Sequence, residues 1–226
     1  MDDLGQIPLL QGLAEGRART LASQCRWAAW EANELVIDYD DETTDVYFIL
    51  SGRVRVLFRT PSGKEVILAE LTGGQAFGEL AAIDGMRRSA NVTAMERSRL
   101  CVMPGAVFLE VIAGDPAICT RVLKVMAGRI RDLNIKLAEH SFLRSRERLF
   151  CDLLRLSTPR AGHPEQRVIT PPPFHHDLAS RIGCRREVVS RELSLLAREG
   201  LIEKTRGGLV LPNPGEINRR VSAGLA

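Results

Sequence analysis

The sequence predicts an α+β chain in three parts: a jelly-roll β-barrel, one long helix, and a small helical unit that ends in a two-stranded wing. Three observations predict it. Short runs rich in Val, Ile, Leu and Phe, separated by turn residues, fill residues 34 to 102. A helical pattern without a turn cluster follows from Asp115-Pro116 to about Phe142. Beyond it, two short amphipathic helices meet at Gly183, and apolar runs then flank Gly207-Gly208.

The chain has 226 residues, long for one domain and comfortable for two, with a boundary expected at 142/143. At 45% hydrophobic and 26% charged residues it can build a sizeable core. No apolar run approaches the roughly 18 residues that a membrane span needs. The opening "MDDLGQIPLL" is acidic and lacks a basic n-region, so it does not read as a signal peptide. A cytoplasmic protein with no membrane partner is expected. The five cysteines (Cys25, Cys101, Cys119, Cys151, Cys184) are scattered and form no C-x-x-C pair. That pattern disfavours a disulfide framework or a zinc site, and buried or partly buried thiols are expected. Charge is uneven. From Leu143 onward there are 15 Lys/Arg against 9 Asp/Glu, and before it 16 against 19. A basic carboxy-terminal third suits a polyanionic partner.

Each element has a local reason. Residues 13 to 24 carry an amphipathic helical pattern. The runs "VYFILSGRVRVLF", "TPSGKEVILAEL", "TGGQAFGEL", "ANVTAM" and "SRLCVM" read as strands. Ser51-Gly52 and Pro61-Ser62-Gly63 supply turns between them. Asp115 is a good N-cap and Pro116 fits the first helical position. The resulting helix would span about 40 Å. Along it Cys119, Val122, Met126, Ile130, Leu133, Leu137 and His140 recur three or four apart. A stripe so narrow on a helix so long suits a seam with a second helix better than packing on its own barrel alone. Residues 144 to 157 form another amphipathic helix. The stretch "TPRAGHPEQRVITPPPF" reads as a loop with a short strand at best.

Two stretches carry chemistry. "FGELAAIDGMRRSA", residues 77 to 90, combines Glu79, Arg87 and Arg88 with small residues. Small residues let backbone N–H groups and a guanidinium reach an anion. A structural Glu79–Arg88 ion pair is the other reading of the same residues. "HHDLASRIGCRREVVSRELSLLAREGLI", residues 175 to 202, divides into two helices around Gly183-Cys184-Arg185. Leu178, Ala179 and Ile182 face inward from the first helix, and Val189, Leu193 and Leu196 from the second. Arg186, Glu187, Ser190, Arg191, Ser194 and Arg198 then lie on the open side. Arg can bond guanine O6 and N7, and Glu can accept from cytosine N4. A solvated face with a Glu187–Arg191 pair is the alternative. His175 and His176 lack a third partner at metal spacing and read as solvated residues at a helix start.

From about residue 10 to 211, on "FGELA…RRSA" and "IGCRREVVSREL", the chain resembles the cyclic AMP receptor protein and fumarate/nitrate-reductase regulator (CRP/FNR) family of bacterial transcription factors. The resemblance implies a phosphate-binding cassette in which Arg88 and Ser89 meet a cyclic phosphate and Glu79 meets the ribose hydroxyl. Gly78 would let the backbone approach the sugar, with Leu80 and Ala90 in the same cassette. Arg129 on the long helix is expected near the phosphate. Where well-known cyclic AMP binders place a Thr-Ser pair against the base, this chain has Leu133-Asn134. Leu133 cannot bond a base, and Asn134 can donate and accept, so cyclic AMP is the first effector and cyclic GMP the second. Arg186, Glu187 and Arg191 match the family's base readers for TGTGA-like half-sites, with Ser190 on phosphate and Arg185 beside them. The implied assembly is a homodimer that partners double-stranded DNA and RNA polymerase, with no metal and no catalytic residue. Only Cys25 lies where the iron–sulfur branch holds its cysteines, and nothing marks haem ligands. A same-fold regulator that answers another effector, redox state or protein contact is the alternative. No nucleophile–base pair or Walker-type loop supports an enzyme.

Overall fold

The structure, a computed structural model, describes residues 4–60 and 62–225. Pro61 of the expected turn, the first three residues of the amino-terminal segment and Ala226 lie outside the described residues. The chain forms two compact units that divide within the long helix, at Arg129/Ile130.

In the first unit, 3₁₀ turns at Leu4–Gln6 and Pro8–Leu10 lead into α1 (Glu15–Gln24). Strands follow: β1 (Arg26–Trp30), β2 (Leu35–Ile37), β3 (Val46–Ser51), β4 (Arg53–Arg59), β5 (Glu65–Thr72) and β6 (Ala76–Phe77). After α2 (Glu79–Asp84) come β7 (Asn91–Ala94), β8 (Ser98–Met103), α3 (Gly105–Gly114) and the start of α4 (Pro116–Phe142). Among the described residues these strands make two four-stranded antiparallel sheets, ordered β1-β8-β3-β6 and β2-β7-β4-β5. This is the expected double-sheet barrel.

The period-2 geometry of a strand explains why "VYFIL" is apolar throughout. Tyr47 and Ile49 point between the sheets, where they meet Val54, Leu71 and Val92. Val46 and Phe48 point the other way, onto Leu10, Phe108, Ile118 and Val122. β8 behaves likewise, with Leu100 and Val102 inside the sandwich and Cys101 and Met103 under the helices. Both strands are therefore covered on both faces. Gly52 turns β3 into β4 at φ +90°, and a Cβ there would sit 2.4 Å from Ser98 Oγ.

α4 begins as its sequence dictates. Asp115 Oδ1 accepts from the Ala117 and Ile118 amides at 2.9 and 3.1 Å. Its apolar stripe is not uniform. Val122, expected in the seam with a partner helix, is buried with Ile118 in the barrel's helical layer. Leu123, Ile130, Leu133 and Leu137 are each more than half exposed, as are Ile135 and Phe142 off that line. With Met126 and His140 the first four alternate three and four apart. The exposed apolar line starts one residue off the expected stripe, because the first turns of α4 also face the barrel.

In the second unit, α5 (Ser145–Leu156), α6 (His175–Ile182) and α7 (Arg186–Arg198) surround a core that includes Leu149, Leu153, Leu178, Val189 and Leu196. The stretch expected as a loop instead forms a hairpin, β9 (Thr158–Arg160) and β10 (His163–Ile169). Its polar residues conceal it, since only Val168 and Ile169 are apolar at its end. Its pairing comes from the buried β12 (Leu209–Leu211), which also pairs with β11 (Glu203–Lys204) to make the wing. The tail forms α8 (Pro214–Leu225), packed against α5 with Ile217 buried.

Removing the α4 cap tests this account of the long helix. Asp115→Ala is expected to cost about 1 kcal/mol, read as a lower denaturant midpoint with an unchanged slope.

Candidate functional site

The cassette is built by backbone conformation first. β6 ends at Phe77, and Gly78 takes the left-handed conformation at φ +81° before Glu79 opens α2. A Cβ on Gly78 would lie 2.8 Å from Arg88 Nη1 and 2.9 Å from the Asp45 carbonyl oxygen. Only glycine fits there. Gly85, also left-handed, ends α2 and turns the chain back toward Arg88.

The two adjacent arginines part company. Arg87 is exposed and pairs with Asp40 at 3.2 Å and with Glu42. Arg88 is 3% exposed. Its Nε donates to Thr43 Oγ1 at 3.0 Å, Nη1 to the Gly78 carbonyl at 2.8 Å, and Nη2 to the Asp45 carbonyl at 2.8 Å. The guanidinium also lies 5.8 Å from the centre of the Tyr47 ring. All three acceptors are neutral. Burial pushes the Arg88 pKa down, while Tyr47, Asp45, Asp41 and Glu79 act against it from longer range. No carboxylate hydrogen-bonds the Arg88 guanidinium directly among the described residues.

Glu79 is buried beside it but pairs elsewhere. Its Oε1 accepts from Arg129 Nη1 at 2.5 Å, and Arg129 Nη2 also donates to the Ala76 carbonyl. Its Oε2 is buried with no hydrogen-bond partner among the described residues. The Glu79–Arg88 ion pair that the sequence left open is therefore replaced by Glu79–Arg129. The structure brings Gly78, Glu79, Arg88 and Arg129 together. Ala90 is buried behind them, and Leu80 and Ser89 are exposed. Leu133 and Asn134 are exposed on α4. Sequence reading missed Thr43, Asp45 and Tyr47, because no spacing ties the loop before β3 to a residue more than 40 positions later. The acidic, polar run "DYDDETTD" was the available signal.

In the second unit, Gly183 ends α6 at φ +63°, and the Cys184 amide returns to the Ala179 carbonyl at 3.0 Å. This is the tight turn between the two helices. α7 then buries Val189, Leu193 and Leu196 and exposes Arg186, Glu187, Arg191, Ser194 and Arg198, with Arg185 exposed at its N-cap. Ser190 is half-buried, and its Oγ lies 2.8 Å from His175 Nδ1. His175 is thus not the solvated residue the sequence suggested, because the first turn of α6 rests against α7. Thr205 closes the wing with two bonds to the Gly208 carbonyl, 2.9 Å from its amide and 3.0 Å from its hydroxyl.

Among the described residues no group of His, Cys, Asp or Glu side chains could hold a metal ion. No helix among them is long and apolar enough to cross a membrane. The geometry at Gly78 yields a direct test. Gly78→Ala is expected to lose about 2 kcal/mol or more in a thermal melt, since it meets both a positive φ and two close contacts.

Comparison with known proteins matches a domain to each unit. The family model for the cyclic nucleotide-binding domain matches residues 28–115, and that for the Crp-like helix-turn-helix domain matches residues 147–220. The cyclic AMP receptor protein of Thermus thermophilus is 31% identical, over 97% of this chain and 98% of that one. The CRP-like cAMP-activated global transcriptional regulator of Mycobacterium tuberculosis is 26% identical, over 97% and 99%. Among solved structures, a CooA variant from Carboxydothermus hydrogenoformans superposes with a TM-score of 0.78 at 20% identity, over 92% of each chain. The Thermus thermophilus catabolite activator protein gives 0.53 at 29% identity, over 97% and 100%. With a buried arginine cradle in one unit, a glycine-turned recognition helix in the other, and relatives aligned along the whole length, the chain belongs to the CRP/FNR family of transcription regulators.

Proposed function

We propose that the protein is a homodimeric transcription regulator whose DNA binding is controlled by a cyclic nucleotide, with cyclic AMP preferred and cyclic GMP second. One observation carries the reading: the buried Arg88 guanidinium has only neutral acceptors among the described residues. A cyclic phosphate supplies the missing negative charge, with the Ser89 hydroxyl beside it. The partnerless Glu79 Oε2 suits a ribose 2′-hydroxyl, and Gly78 admits the sugar. Arg129, already on Glu79, would hold that carboxylate aimed at the site. The base falls to Leu133 and Asn134, of which only Asn134 can hydrogen-bond it. The printed names of the relatives, both of which refer to cyclic AMP, support that choice.

Two copies are joined in this reading by the exposed α4 seam. Leu123, Ile130 and Leu137 recur every seven residues, with Met126, Leu133 and His140 between them, which is the pattern of a two-helix coiled coil. Ligand capture beside α4 would bias the chain near Phe142-Leu143. The two α7 helices would then stand about 34 Å apart, one turn of DNA. Arg186, Glu187 and Arg191 read TGTGA-like half-sites, with Arg185 and Ser190 near phosphates. RNA polymerase is the downstream partner, and the cytoplasm the place of action.

Calorimetric titration with cyclic AMP and cyclic GMP, followed by binding to a palindromic TGTGA duplex, tests this. Arg88→Ala should weaken nucleotide binding tenfold or more and remove the ligand response, with basal DNA binding retained. Arg191→Ala should erase site preference while nucleotide affinity stays within a factor of two or so. An unchanged ligand response in Arg88→Ala ends the cassette assignment. It would leave a regulator that answers another effector.

Sedimentation tests the seam. Ile130→Glu is expected to shift the protein from dimer to monomer, because a carboxylate would be desolvated at the centre of the stripe. A dimer that survives it places the interface elsewhere.

A further inference from the structure

We propose that His175, which lies outside the recognition helix, sets which bases Ser190 can accept on DNA; this rests on the reading of α7 as the base-contacting helix. It also moves Ser190 from the phosphate backbone to a base edge. The starting observation is the 2.8 Å contact between His175 Nδ1 and Ser190 Oγ. Serines within a helix commonly turn back to the carbonyl four residues earlier. Ser194 does so, donating to the Ser190 carbonyl at 2.9 Å. Ser190 instead points across to α6. Its hydroxyl is therefore held by a partner on a different element, next to Glu187 and Arg191 on the open face of α7.

A hydroxyl has one proton, so what it offers outward depends on what it gives inward. When Nδ1 is bare, the Ser190 proton is directed at the imidazole and only oxygen lone pairs face the groove. Such a serine can accept from adenine N6 or cytosine N4 and can donate to nothing. When Nδ1 carries a proton, the serine oxygen accepts from it. The serine O–H is then free for guanine O6 or N7, thymine O4 or adenine N7, and only cytosine offers it no acceptor. A neutral ring can hold its proton on either nitrogen, so it permits both modes. A cationic ring has protons on both nitrogens and permits only the donating mode.

The charged groups that bear on the ring are Arg186 from α7 and Lys204 from β11. Burial first, and then these two cations, hold the His175 pKa below its ordinary value. The doubly protonated ring therefore forms only as pH falls below the usual histidine range. In the free protein near neutrality, Ser190 keeps both modes. At lower pH it keeps one, and its base preference shifts away from cytosine toward the bases that offer an acceptor.

The experiment uses the full chain with cyclic AMP present. A preferred duplex is first selected from randomised DNA at about pH 8. Affinity is then measured for all four bases at each half-site position, from about pH 8 down to about pH 5. Ser190→Ala identifies the position that Ser190 reads, as the one where discrimination falls. There the wild-type preference for guanine or thymine over cytosine should rise about three- to tenfold on acidification, while adenine, with N6 as donor and N7 as acceptor, can be read in either mode. In His175→Asn, whose amide can donate or accept but does not titrate, the preference should be flat with pH. His175→Phe should loosen discrimination at that position alone. The inference is overturned if Ser190→Ala changes discrimination at no position, or if the wild-type preference does not vary with pH. It is equally overturned if acidification strengthens all four bases alike, which marks a phosphate contact, or if His175→Asn retains the shift. If Arg191→Ala keeps wild-type site preference, it is the reading of α7 that fails instead.

Discussion

Burying the Arg88 guanidinium is the constraint on which the first unit is arranged. A charged group at 3% exposure is tolerated only when each guanidinium nitrogen finds an acceptor and the surrounding dipoles answer the charge. Here the acceptors are a threonine hydroxyl and two backbone carbonyls, with a tyrosine ring alongside. Each one dictates something further. The Gly78 carbonyl is in place only because Gly78 can adopt positive φ and has no Cβ to strike the arginine. The Asp45 carbonyl and Thr43 hydroxyl require the loop before β3 to fold over the cassette. That loop is tied down at its other end, where the Arg88 amide donates to the Asp41 carbonyl at 2.9 Å and the Asp40 amide to the Arg88 carbonyl at 3.0 Å. Tyr47 is presented by β3, whose alternate residues belong to a separate core under the helices. A single cation is thus held by a turn, a loop and a strand together.

α4 has to satisfy two environments along one axis. Its first turns are apolar toward the barrel, through Ile118 and Val122, and its later turns expose Ile130, Leu133 and Leu137. The helix would be an unfavourable solvent-facing element if nothing covered the second set, since apolar side chains left in water forgo their burial energy. Arg129 sits where one face gives way to the other. It reaches back to Glu79 and to the Ala76 carbonyl. The residue that holds the sugar-side carboxylate in the proposed site is therefore on the same helix as the proposed dimer seam.

The second unit is rigid for a different reason. Its helices are short, so their stability comes from a shared core and from the turn that joins them. Gly183 fixes the angle between α6 and α7, and the wing closes on itself through Thr205 and Gly208. The polar face of α7 is then presented as a set rather than as separate side chains. Arg185, Arg186, Glu187 and Arg191 project outward, whereas Ser190 is restrained from behind by His175. That restraint makes the hydroxyl's donor or acceptor character a property of the unit and not of the serine.

Much of this was legible in the residues themselves, where the reason is local. Alternation, turn glycines, the Asp-Pro helix start and the two motifs announce the barrel, the long helix and the glycine-jointed helix pair, because strand pleat, capping and positive φ act within a few residues. The tertiary structure alone decided that Val122 belongs to the barrel while Leu123 is left exposed. One turn of a helix carries both faces, and only packing separates them. It decided that Glu79 pairs with Arg129 and that Arg88 meets Thr43 and Asp45 as well as the nearer Gly78, because partners 43 to 50 residues apart leave no spacing to read. It made a strand of polar residues at 163–169, since the buried β12 supplied the pairing that β10's own composition did not advertise. It joined His175 to Ser190 because two helices crossed at a glycine, which no count along the chain could place within hydrogen-bond reach.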